Sequence, residues 1–202
     1  MAALAVSSEV LTSPTSFQAA PAPAKIVRTV PRAQPAQVVL ATAQHQASPT
    51  KPWNKVAIKG GTAAQRKQIK SLLKKYGAKT NIQSVTFKKG MSRLGETTFW
   101  TPDRSSKAWI TLRSGMNSTK LKAVFLHELA HAKSLWTYGG NYSALTTATT
   151  RKFSGSGHRS AETAADCMAR KLGAAKAHLH YKKSCSKTEM SHATTLLKGK
   201  QI

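Results

Sequence analysis

Acid is what this chain has least of. Its 202 residues carry seven Asp and Glu against 32 Lys and Arg, a formal charge of +25. That balance points either to a solvated cationic surface or to contact with a polyanion such as nucleic acid, anionic lipid or an anionic wall polymer. No recognised nucleic-acid-binding motif accompanies it. Long apolar runs are also missing. Nothing approaches the roughly 18 residues of a membrane span, which excludes a transmembrane helix. The first six residues have no positive segment and too short an apolar run for a proper signal peptide. They read as the end of one whose start lies upstream, or as a plain tail, and an exported or cell-envelope location is favoured over a cytoplasmic one. Cysteine is confined to Cys167 and Cys185. These are two buried thiols in a reducing compartment. Outside one, they form a disulfide that closes a loop of about 18 residues and contributes about 3 kcal/mol; the disulfide is preferred.

Proline, scarce later, crowds the start: Pro14, Pro21, Pro23, Pro31, Pro35 and Pro49 interrupt an Ala-, Ser-, Thr- and Gln-rich stretch. Residues 1–52 therefore read as a disordered arm and residues 53–202 as one folded domain. A short strand is expected at 56–58. A helix follows from a Thr62 cap to Tyr76, with Ile69, Leu72 and Leu73 inward and Arg66, Lys67, Lys70, Lys74 and Lys75 outward. Alternation predicts a strand over 82–87. Two more, 97–101 and 107–112, form a hairpin around Pro102 to Ser106. Thr119 is the expected cap of a helix reaching about Trp136, whose stripe of Leu121, Val124, Phe125, Leu129, Ala132 and Leu135 buries one side. Residues 138–157 offer no clear element. Ser160 is the expected cap of a further helix stopped by Gly173, and Ser186 or Thr188 opens a last one.

The chemistry concentrates in two stretches. Within the apolar run around Val124 to His131, His127 and His131 stand four apart, on one helix face, and can share a metal ion. Glu128 lies about 100° round from His127, close enough to hold a water on that metal. Thirty-one residues beyond His131 comes Glu162, with Asp166 four further on and on the same helix face. Three of the seven acids thus fall in these two stretches, and a dication supplies a reason. Glu162 also reads as a first-turn acid that suits the helix dipole.

His127-Glu128-x-x-His131 followed by Glu162-x-x-x-Asp166 resembles the gluzincin pattern of zinc metallopeptidases, over about residues 120–172. The resemblance implies that His127, His131 and Glu162 bind Zn2+, that Glu128 is the general base, and that Asp166 accepts a hydrogen bond from a ligand histidine. It also implies an edge strand ahead of the motif helix that pairs with an extended substrate. Residues 108–112 hold that place in order, and read equally as a buried strand with Trp109 in the core. Three protein ligands leave a fourth position for water, the mark of a catalytic zinc. An oxyanion donor could be His158, Tyr142 or Tyr181, and His158 also reads as an exposed loop histidine. His178, His180 and His192 lack ligand spacing.

The expected fold is α+β: a small zincin-like domain with a short β-sheet and a central helix bearing the His-Glu-x-x-His motif, behind a disordered arm. The expected function is zinc-dependent hydrolysis of amide bonds in a peptide or protein substrate. The alternative is a basic polyanion-binding protein on a degenerate zincin-like scaffold.

Overall fold

The computed structural model describes residues 50–100, 106–182 and 184–202. The expected arm, as far as residue 49, and residues 102–105 of the expected turn lie outside the described residues. Four strands form one sheet in the order β1-β2-β4-β3: β1 (Ala57–Lys59), β2 (Asn81–Lys88), β3 (Gly95–Trp100) and β4 (Lys107–Arg113). β1, β2 and β4 are parallel, and β3 runs antiparallel to β4. The hairpin expectation is met by the β3–β4 pair. The edge-strand expectation is not: residues 108–112 belong to β4, which lies between β2 and β3, so β3 is the edge. Trp109 is not in the core either. Burial alternates along β4, with Ala108, Ile110 and Leu112 inside and Trp109 half-exposed on the other face.

The parallel step from β1 to β2 needs a crossover, and α1 (Ala63–Tyr76) supplies it. Thr62 caps α1 by accepting from the Gln65 amide at 3.2 Å, and the Gln65 side chain bonds back to the Thr62 amide at 3.0 Å. This reciprocal pair satisfies two backbone donors that would otherwise lack partners. In β2 a register shift between Ile82 and Ser84 breaks the simple alternation, which lets both Ile82 and Val85 face inward.

Four helices follow: α2 (Ser118–Thr137), α3 (Tyr142–Lys152), α4 (His158–Lys171) and α5 (Lys187–Leu197). The motif lies in α2, buried along most of its length between two cores. On one side Leu121, Phe125 and Leu129 meet Ile69, Ile82, Ile110 and Leu112 of α1 and the sheet. On the other, Ala130 joins Leu145, Ala164, Ala165, Met168 and Leu196 of α3, α4 and α5. Each fully buried Leu or Ile contributes about 1.5–3 kcal/mol over its exposed state, so α2 is fixed from both sides. No helix among the described residues is long and apolar enough to cross a membrane.

Three local expectations need correction. Asn117, not Thr119, caps α2; its side-chain oxygen accepts from the Lys120 amide at 2.9 Å. α3 occupies a stretch with no expected element, because Asn141 caps it and Leu145 and Thr149 are buried. Two of the threonines that lower its helix propensity, Thr146 and Thr149, bond their hydroxyls back to helix carbonyls, those of Ser143 and Leu145, each at 3.0 Å. Ser160 is inside α4 rather than its cap. Gly157, at φ 52°, precedes the helix, and the Ser160 hydroxyl donates back to the Gly157 carbonyl at 2.7 Å.

Candidate metal centre

α2 and α4 approach closely because the residues between them include Ala130, Ala164 and Ala165. Ser134 Oγ lies 3.3 Å from Met168 Sδ across the same contact. α2 contributes His127, Glu128 and His131, and α4 contributes Glu162 and Asp166. The ligand atoms of His127, His131 and Glu162 all lie within 4.8 Å of one another. His127 Nε2 is 3.1 Å from His131 Nε2 and 3.0 Å from Glu162 Oε2, and His131 Nε2 is 3.3 Å from the same oxygen. Ligands about 2.0–2.1 Å from a tetrahedral zinc are separated by about 3.3–3.4 Å, so this triangle fits one face of such a centre after small side-chain adjustments. It is the metal-site geometry of the gluzincins. Neither family models, curated proteins nor solved structures match this chain.

The electrostatics favour a cation at the same place. Burial would lower the basicity of His127. Hydrogen bonds to Asp166 and Glu162, with the Glu128 charge, outweigh it and raise His127 to about 10. Burial works against the Glu162 charge too, yet the two histidines hold its carboxyl far below the usual carboxylate range. Without metal the site therefore holds a proton, and a dication entering it releases that proton.

Further side chains surround this cluster. Asp166, 1 % exposed, accepts from His127 Nδ1 at 2.7 Å with one oxygen. The other oxygen accepts from the backbone amides of Tyr181 and Lys182, at 2.7 and 2.8 Å. With its Nδ1 proton engaged, His127 presents the Nε2 lone pair to the metal position. Tyr181 stacks on His127, with ring centres 5.7 Å apart. Cys167 and Cys185 are joined in a disulfide that closes the segment carrying Tyr181 and Lys182 back onto α4.

His158 is not a loop residue. It opens α4, with its side chain 73 % exposed, and its Nε2 is 3.1 Å from Glu162 Oε1. Its Nδ1 is 2.8 Å from the Tyr142 hydroxyl. One ring bonds both groups because α3 brings Tyr142 to the start of α4. Glu162 consequently lies in the second turn of α4, not in the first where a dipole role would put it.

Glu128 is fixed by residues that sequence reasoning missed. Thr97 Oγ1 of β3 donates to Glu128 Oε2 at 2.6 Å. A Cβ on Gly95 would lie 2.6 Å from Glu128 Oε1 and 2.7 Å from Val124 Cγ1, so only glycine leaves the carboxylate its room. These residues line a cleft of about 670 Å3 together with Arg93, Phe99, His178, His180 and Tyr181. No spacing rule ties β3 to a helix more than 20 residues on, and His178 and His180 reach the cleft only because the chain after α4 folds back.

Proposed function

We propose that this chain is a zinc-dependent peptidase. The observation that carries the reading is the position of Glu128, beside the ligand triangle in the cleft and held there by Thr97 in space left by Gly95. A binding module with a structural metal has no need of a carboxylate so placed. His127, His131 and Glu162 would hold the ion, which supplies a water of pKa near 7 and polarises the substrate carbonyl. Glu128 takes the proton from the attacking water and returns it to the leaving amine. Asp166 keeps the His127 proton on Nδ1 throughout, so the ligand nitrogen stays free.

The edge β3 supports substrate pairing. Arg113 N–H donates to the Leu94 carbonyl at 2.9 Å, so residues 94, 96, 98 and 100 pair with β4. By alternation, the amides and carbonyls of Gly95, Thr97 and Phe99 are left facing outward, available to an extended peptide. Of the candidate oxyanion donors, His158 and Tyr142 bond each other, and the Tyr181 hydroxyl has no hydrogen-bond partner among the described residues. Tyr181 is therefore our choice. The disulfide supports a location outside the reducing cytosol.

Polyanion contact is a second property rather than a rival activity. Arg66, Lys67, Lys70, Lys74 and Lys75 are exposed along α1, whereas Glu96, Glu128, Glu162 and Asp166 all line the cleft. Glu128→Gln decides the main reading. A peptidase keeps one zinc per chain and loses turnover by several orders of magnitude. Proteolysis that survives the substitution would sink the Glu128 mechanism.

A further inference from the structure

We infer that Arg93 is a specificity-determining residue, reading a carboxylate on the C-terminal side of the scissile bond. The inference rests on the peptidase reading and names the substrate class for it: peptides with an acidic side chain, or their own C-terminus, beyond the cleaved bond. Among the described residues, Arg93 is the only Lys or Arg that lines the cleft. It is exposed and makes no hydrogen bond or ion pair among the described residues. The cleft's own carboxylates do not take it. Glu128 is held by Thr97, and Glu162 and Asp166 are held by histidines. Glu96 is not within ion-pair distance of it. A guanidinium left free in the cleft that holds the ligand triangle, with no other Lys or Arg among the described lining residues, is a ready fork for a carboxylate.

The direction follows from the sheet. β3 offers the outward backbone groups of Gly95, Thr97 and Phe99, and antiparallel addition is the more stable pairing. A peptide lying antiparallel to β3 has its N-terminal part near Phe99, whose ring lies 6.2 Å from that of Tyr142. Its C-terminal part runs past Gly95 towards Arg93, two residues ahead of Gly95. Glu128 meets β3 between these ends, at Gly95 and Thr97. Tyr181, the proposed oxyanion donor, lines the same cleft as Arg93.

The test uses the zinc-loaded full chain and labelled, internally quenched hexapeptides. Pairs of peptides differ only in Asp against Asn at one position, or in a free against an amidated C-terminus. Mass spectrometry locates each cut. An exposed fork is partly screened, so the expected preference for the carboxylate member is about tenfold in kcat/KM, confined to positions after the cut. The position preferred distinguishes a side chain from the chain terminus. Arg93→Gln brings each pair level at unchanged zinc content, and Arg93→Glu turns the preference towards the uncharged member. A wild type with no such preference overturns the inference, as does a preference kept in Arg93→Gln or one lying before the cut.

If the zinc-loaded protein cuts no peptide, the peptidase reading falls on its own. Fluorescence anisotropy with the same peptides then decides Arg93. Tighter binding of the carboxylate member, levelled by Arg93→Gln, upholds it, and equal binding overturns it.

Discussion

Asp166→Asn changes one atom and tests how the metal site is held. The native carboxylate faces three donors: His127 Nδ1 on one oxygen, and the amides of Tyr181 and Lys182 on the other. An asparagine has one acceptor oxygen and one donor group for those two places. With its oxygen towards the two amides, its NH2 meets His127 Nδ1 and pushes the ring proton onto Nε2, the atom that must ligate. Turned the other way, the NH2 confronts two backbone N–H groups. Zinc binding must then leave at least one buried donor without an acceptor, at about 1–3 kcal/mol, or about 5- to 150-fold in affinity. Loss of a partner behind a ligand histidine commonly costs 10–100-fold, which agrees.

The assay is competition for zinc against a chromophoric chelator at fixed pH, with circular dichroism to confirm the fold. An Asp166→Asn variant binding zinc within about twofold of wild type would refute the reasoning. It would mean that His127 keeps its tautomer without Asp166 and that the hydrogen bond is incidental.

Glu162→Ala, with two of three ligands left, is expected to retain little zinc by elemental analysis after purification identical to wild type; full retention would require another third ligand. Gly95→Ala places a methyl group against Glu128 Oε1 and Val124. Turnover should fall about 100-fold, as expected for misplacing a reacting group by about 1 Å, with zinc content unchanged. Replacing Cys167 and Cys185 together by Ala should lower the unfolding free energy by about 3 kcal/mol and weaken zinc binding through the Asp166 contacts; denaturant unfolding and chelator competition read the two effects. Burial alone would raise the Glu189 carboxyl, but Lys182 and the amides of Ser186 and Ser154 bring it from 4.5 to about 2. Its folded-state pKa is depressed, so its stabilisation is present above pH 4.5 and lost as pH falls towards 2; Glu189→Gln should flatten acid unfolding in that window.

What could be read from the residues alone is what depends on short spacing. The His127–His131 interval, the Thr62 and Ser186 caps, and the apolar stripe of α2 are all local, and one helix geometry turns each into a position. Glu162 was legible because its own spacing to Asp166 repeats that geometry. What failed depended on tertiary context. α3 is rich in threonine, so propensity argues against it, and only the burial of Leu145 and Thr149 with the Asn141 cap makes it a helix. The edge strand was misjudged because order along the chain does not give order across a sheet; β4 follows β3 yet lies inside it. Thr97 and Gly95 carried no signal, since a threonine and a glycine in a strand have many commoner explanations than support of a carboxylate 30 residues away.

The shortage of acid and the construction of the site are two views of one constraint. Asp166 uses one oxygen for His127 and the other for two backbone amides. Glu162 uses one oxygen towards both ligand histidines and the other for His158. Glu189, outside the site, takes Lys182 and Ser154 on one oxygen and the Ser186 amide on the other. Lys182 links two of these hubs, since its amide bonds Asp166 and its ammonium bonds Glu189. Tyr181, Lys182 and Cys185 are therefore part of the support of the candidate metal centre, tied to α4 by the disulfide at one point and by Asp166 at another. A site on two helices is precise only when its supporting residues are themselves fixed. In this chain the support comes from a segment that sequence order alone would pass over as a tail.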